Sequence, residues 1–133
     1  MENENSHVGS ILLVDDETAI IKIVKRLIES LGYRVTAHLN GEDALERFES
    51  NPDDFDLVIT DIGLPDLPGD EFVKKVITIR HDIPVILCTG NSNCMSREEI
   101  VSLGIKGILE KPFKLFEMRE MLQRLLPEAA DAY

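Results

Sequence analysis

Cysteine is scarce in this chain. The two that occur, Cys88 and Cys94, form neither a disulfide framework nor a metal-ligand spacing. A disulfide-stapled scaffold and a thiolate metal module are thereby excluded, and the usage suits a reducing cytoplasm. Positive charge is short as well: 14 Lys and Arg stand against 25 Asp and Glu, a formal net charge of −11. Such a surface repels phosphate backbones, so no direct nucleic-acid binding is expected. No apolar run approaches the ~20 residues that span a bilayer, and nothing at the start reads as a signal peptide, so the expectation is a cytoplasmic chain without membrane insertion. Internal repeats and low-complexity tracts are also missing.

What is present is enough apolar residue for a core. Of 133 residues, 44% are hydrophobic, which fits one folded domain of ordinary size. Residues 1–9, "MENENSHVG", are polar and aperiodic and read as a flexible leader. "ILLVD" (11–15) is too short for a helix and reads as a strand. From Glu17 the apolar residues Ile20, Ile23, Val24, Leu27, Ile28 and Leu31 fall at helical spacing, with Gly32 as a stop. "YRVTA" (33–37) alternates like a strand. Ala44, Leu45 and Phe48 mark a second helix with Asn40 as its N-cap.

"FDLVITD" (55–61) is a third strand, followed by a turn rich in Gly and Pro and a helix carrying Phe72, Val73, Val76 and Ile77. "IPVILCT" (83–89) is a fourth strand, "GNSNCM" a loop, and Ser96 with Glu99 has capping-box spacing for a short helix that Gly104 ends. "KGILEK" (106–111) is a fifth strand. Leu115, Met118, Leu122, Leu125 and Leu126 form the last helix before Pro127. Five strands alternating with five helices predict a doubly wound parallel sheet with helices on both faces, because parallel neighbours need crossover connections. The domain is expected over 10–126, with 127–133 as a C-terminal tail.

In an open α/β sheet, ligands bind beyond the carboxyl ends of the strands. The residues at those ends are Asp15 and Asp16, Asp61, Thr89 and Lys111. Three carboxylates in one crevice are costly: two like charges ~4 Å apart repel by about 4 kcal/mol at an effective dielectric of about 20. Either a carboxylate pKa rises or a cation sits among them. Oxygen donors without histidine or thiolate favour Mg²⁺. A divalent ion and a lysine facing an aspartate suit phosphoryl transfer, and the aspartate itself is a competent nucleophile. Singly, each feature has a plainer reading. An acidic pair after a strand often marks a helix N-terminus, a threonine often ends a strand, and "KPF" (111–113) is a proline opening a helix. Their occurrence together at successive strand ends is the signal.

"ILLVDDE", "DLVITDIGLPDLPGDEF", "IPVILCTG" and "LEKPF", in that order over 10–126, resemble the receiver domains of two-component response regulators, the CheY-like family. The resemblance implies the strand order 2-1-3-4-5. It implies Asp61 as acceptor of a phosphoryl group from a histidine kinase or phosphotransfer domain. Mg²⁺ would be held by Asp16 and Asp61 directly, by Asp15 largely through water, and by the backbone carbonyl of Gly63. Thr89 and Lys111 would contact the phosphoryl oxygens, and the Lys111–Pro112 bond would be cis. A signalling domain that assists its own phosphorylation and dephosphorylation is implied, rather than an enzyme with other substrates. A downstream protein partner is implied too, with a monomer or a phosphorylation-dependent dimer as its assembly state. The "ILCTG" stretch and the acidic surface also look similar to receivers attached to sensor kinases.

One position departs from the family. Three residues before the lysine, where receivers usually carry Tyr or Phe, this chain has Ile108, which puts the aromatic readout of the switch in doubt. Two rival readings fit the residues less well. An aspartate-nucleophile phosphohydrolase needs a second aspartate two residues after the first, and Gly63 occupies that place after Asp61. A module that kept only the fold is disfavoured by the presence of every functional side chain.

Overall fold

The structure is a computed structural model that describes residues 9–90 and 95–126. Residues 1–8 of the leader, Cys94 with most of the 90–95 loop, and the tail from Pro127 lie outside the described residues.

Five parallel strands, β1 (Ser10–Val14), β2 (Arg34–His38), β3 (Leu57–Asp61), β4 (Val85–Thr89) and β5 (Gly107–Glu110), form one sheet in the order β2-β1-β3-β4-β5. Helices α1 (Thr18–Ser30), α2 (Gly41–Ser50), α3 (Gly69–Ile79), α4 (Arg97–Leu103) and α5 (Leu115–Leu125) make the crossovers. The expected doubly wound architecture and strand order are both found.

The three central strands are apolar almost throughout because alternate side chains feed opposite cores. Leu12, Val14, Val58, Val85 and Leu87 pack against Ala44 and Phe48 of α2 and Phe72, Val73 and Val76 of α3. Ile11, Leu13, Leu57, Ile59, Ile86 and Cys88 pack against Val24 and Ile28 of α1 and Met118 and Leu122 of α5. Both faces of β3 are covered, and all five of its residues are buried.

The caps follow the sequence. Asn40 accepts from the Asp43 N–H at 2.8 Å, and Ser96 and Glu99 bond reciprocally as a capping box at the start of α4. Gly104 closes α4 at φ 80°, a left-handed conformation that costs glycine little.

Some local details differ from the sequence reading: β2 runs Arg34–His38 rather than 33–37, β3 starts at Leu57 rather than Phe55, and β5 is Gly107–Glu110 rather than 106–111, which leaves Lys111 just past the strand. β4 begins at Val85 rather than Ile83, because Pro84 has no N–H to give the ladder. A 3₁₀ turn at Pro52–Asp54 precedes β3, opened by a proline whose fixed φ suits a first helical position. Ile23, placed on the apolar face by its spacing, is 48% exposed, since Val24 and Ile28 carry the buried stripe of α1.

Candidate functional site

β1 and β3 are neighbours in the sheet, so the residues that end them meet at one edge. Asp61 is the last residue of β3, and Asp15 and Asp16 follow β1 directly. Each of the three offers a carboxylate oxygen, and those oxygens lie within 4.8 Å of one another. Asp15 and Asp61 are buried while Asp16 is exposed, so the cluster opens to solvent on one side.

Lys111, one residue beyond β5, reaches across into this cluster. Its backbone N–H donates to the Thr89 carbonyl at 2.7 Å, extending the pairing of the two strands past the end of β5. Its ammonium Nζ donates to Asp15 Oδ2 at 2.8 Å and stands 3.5 Å from Asp61 Oδ2 and 3.9 Å from Glu17 Oε1. The other Asp15 oxygen, Oδ1, accepts the Glu17 N–H at 2.9 Å just ahead of α1. Both oxygens of Asp15 are therefore engaged within the chain.

One lysine does not neutralise the cluster. Burial raises the Asp61 carboxyl above its ordinary value and the Asp15 charge adds to the rise; Lys111 and a hydrogen bond from the Gly63 backbone N–H pull the other way and lose. For Lys111 burial works against the charge, but the hydrogen bond to Asp15 and the charges of Asp15, Asp61 and Glu17 outweigh it and hold the ammonium above its ordinary value. An all-oxygen donor set with excess negative charge, open on one side, fits a hard divalent cation and not a thiophilic one.

Gly63 follows Asp61 by two residues and is exposed between buried Ile62 and Leu64, near the Asp61 carboxylate. Thr89 ends β4 and is partly exposed at the same edge. The Lys111–Pro112 peptide bond is cis. Ile108 does not join the cluster: it pairs in register with Leu87 and is 41% exposed on β5. Cys88, paired in register with Asp61, is buried, and burial pushes its thiol up to about 12, which leaves it unreactive.

One residue beside the site carries no signal in a reading of the sequence. Asp66, in the turn after β3, accepts from the Gly41 and Glu42 N–H groups at the start of α2, both at 2.9 Å. Its partners are 25 and 24 residues away, so no local pattern reveals the contact.

A family model, the response regulator receiver domain, matches residues 11–123. The chain belongs to the response regulator receiver domain family. A receiver domain is a signalling module and not a classical enzyme. Among curated relatives, a probable transcriptional regulator, ycf27 of Cyanidium caldarium, is 33% identical over 92% of this chain and 48% of its own length. The chain spans about half the length, or less, of the curated relatives it matches. Among solved structures, a CheY-like receiver domain from Methanospirillum hungatei JF-1 superposes with a TM-score of 0.84 at 28% identity, covering 96% of this chain and 100% of that one. The receiver domain of the sensor histidine kinase PA1611 from Pseudomonas aeruginosa, solved with a magnesium ion in its active-site cleft, gives 0.78 at 30% identity over 92% and 100%. Among the described residues, no helix of this receiver is long and apolar enough to cross a membrane.

Proposed function

We propose that Asp61 is the phosphoacceptor of this receiver and that its partner is a histidine kinase or a phosphotransfer domain. The observation that carries the reading is the placement of a buried carboxylate at the end of a fully buried strand, with a second buried carboxylate and an ammonium around it. A nucleophile on a rigid element is held to a narrower range of positions than one on a loop.

Mg²⁺ is the cation that the oxygen donors favour, and when bound it supplies charge neutralisation for a phosphoryl group. Asp16, the exposed member, and Asp61 would hold it directly. Asp15, whose oxygens are already taken by Glu17 and Lys111, would act through water. The Gly63 carbonyl would complete the protein's share. The magnesium in the PA1611 receiver supports this choice.

In the transfer, an Asp61 carboxylate oxygen attacks phosphorus and the bond from phosphorus to the donor imidazole nitrogen breaks. The donor nitrogen leaves with the electron pair of that bond and is protonated. Lys111, already 3.5 Å from Asp61, would shift its charge onto the incoming phosphoryl oxygens. Thr89 would donate its hydroxyl to the same group from the end of β4. Attack of water on phosphorus would later regenerate the Asp61 carboxylate, an activity the domain would assist itself. The receiver unit is taken as 10–126, between the flanking segments 1–9 and 127–133, and is assigned to the cytoplasm on the same reading. A downstream protein partner would read the phosphorylated state, and monomer and phosphorylation-dependent dimer are the assembly states to distinguish.

Incubation with Mg²⁺ and acetyl phosphate, followed by intact-mass measurement, tests this. One phosphoryl adduct that appears only with Mg²⁺ is expected. Continuous release of phosphate from unrelated esters would instead mark a phosphohydrolase, and an unchanged mass would mark a module that kept only the fold.

A further inference from the structure

The turn between β3 and α3 is fastened to α2 at its tip. The Asp66 carboxylate takes two of the N–H groups that a helix start leaves without a partner, one on each oxygen, from Gly41 and Glu42. The same contact is packed: a Cβ on Gly41 would meet Leu67 Cβ at 2.9 Å and the Leu67 carbonyl oxygen at 3.2 Å. At its base the turn is closed by the Gly69 N–H, which donates to the Ile62 carbonyl at 2.9 Å, and a Cβ on Gly69 would collide with the backbone of Asp61 and Ile62. Ile62 and Leu64 are buried in the core under α2 and α3, while Gly63, Pro65 and Asp66 stay exposed. Residue 63 thus sits in a short arch pinned at both ends, near the Asp61 carboxylate, whose Oδ2 would lie 4.0 Å from a Cβ at that position.

α2 already has a cap of its own. Asn40 accepts the Asp43 N–H at 2.8 Å from the residue where a local cap belongs. A second cap brought from another loop therefore does more for that loop than for the helix. We propose that Asp66 is a positioning residue of the receiver: by capping α2 from the β3–α3 turn, it fixes the backbone at Gly63 relative to Asp61 before a metal ion arrives. The proposal rests on the reading of the acidic pocket as a Mg²⁺ site with the Gly63 carbonyl among its ligands. Fixing a ligand in advance removes part of the ordering cost of binding, and outer partners of metal ligands act in this way.

The test compares Asp66→Ala, Asp66→Asn and Asn40→Ala with the unchanged protein. It measures Mg²⁺ affinity by calorimetry and, without metal, amide hydrogen exchange at residues 41, 42 and 63–67. Asp66→Ala is expected to weaken Mg²⁺ by about tenfold, the lower end of the range for outer-shell partners, and to speed exchange at Gly41, Glu42 and Gly63. Asp66→Asn keeps one acceptor oxygen for the two N–H groups, so its loss should fall between that of Asp66→Ala and none. Asn40→Ala loosens α2 but not the turn, so it should lower the melting temperature and leave Mg²⁺ affinity alone. Equal affinity in Asp66→Ala and the unchanged protein overturns the proposal. So does an Asn40→Ala loss of the same size, which would assign the effect to helix stability. If the unchanged protein itself binds no Mg²⁺, the metal-site reading falls and this proposal falls with it.

Discussion

The Lys111 ammonium donates to Asp15 at 2.8 Å, closer than it stands to Asp61 at 3.5 Å. The lysine is thus held by the carboxylate other than the proposed phosphoacceptor. A phosphoryl group on Asp61 would compete with Asp15 for that charge.

Lys111→Met should therefore destabilise the protein without Mg²⁺, by about 2 kcal/mol, somewhat less than for a wholly buried pair because the lysine side chain keeps 18% of its exposure. The lysine's pKa is raised above its ordinary 10.5, so its contribution is fully present below that value and is lost as pH rises through the higher folded value. Urea denaturation with and without Mg²⁺ measures this. Mg²⁺ should restore part of the loss, and an unchanged denaturation midpoint in the variant would remove Lys111 from the charge balance.

Asp61→Asn should raise the stability of the metal-free protein at neutral pH. The carboxyl is held above its ordinary 3.8 mainly by burial and further by Asp15, so its ionised form is penalised in the fold. An acid raised in this way costs stability as pH climbs from about 3.8 through its folded value, and the cost is complete above it. The advantage of the asparagine variant should thus shrink as pH falls through that window and vanish below it. Melting curves at several pH values would show this, and an advantage independent of pH would count against it.

Mg²⁺ should raise the melting temperature of the unchanged protein, because it binds only the assembled cluster. At about a hundredfold over its dissociation constant the gain is about 2.7 kcal/mol. Asp16→Ala should blunt the gain most, since Asp16 is exposed and free to coordinate while Asp15 is engaged by Glu17 and Lys111. Indifference of the melting temperature to millimolar Mg²⁺ would speak strongly against a metal pocket.

Ile108→Tyr should leave phosphorylation kinetics nearly unchanged. Ile108 is 41% exposed on β5 and outside the acidic cluster, and as a β-branched side chain it is stiff at χ1 with no ring to swing. Phosphorylation should instead be felt along the backbone at residues 89–96, drawn in by Thr89 and visible as amide shifts. A tenfold change in uptake in the tyrosine variant, or movement of Ile108 with a still loop, would overturn this view of the switch.

The parts of this receiver that were legible in the sequence are those written locally or repeated in register. Alternating buried strands and amphipathic helices announced the sheet. Strand-end chemistry at Asp15, Asp16, Asp61 and Lys111 announced the charged cluster, because the fold class fixes where strand ends go. The Asn40 and Ser96 caps were legible since partner and cap are three residues apart. The Asp66 tie was not, because its partners are brought close only by the tertiary fold. Nor was the preference of Lys111 for Asp15, 96 residues away: the strand ends say which charges meet and not how a long side chain divides itself among them.

The most direct measurement locates the phosphoryl group itself. After reaction with acetyl phosphate and Mg²⁺, borohydride reduces an aspartyl phosphate to homoserine, and peptide sequencing by mass spectrometry finds the converted residue. Homoserine is expected at position 61 alone, and none in the Asp61→Asn variant. Conversion at Asp15 or Asp16, or a modified variant lacking the Asp61 carboxylate, would contradict the assignment of Asp61 as the phosphoacceptor.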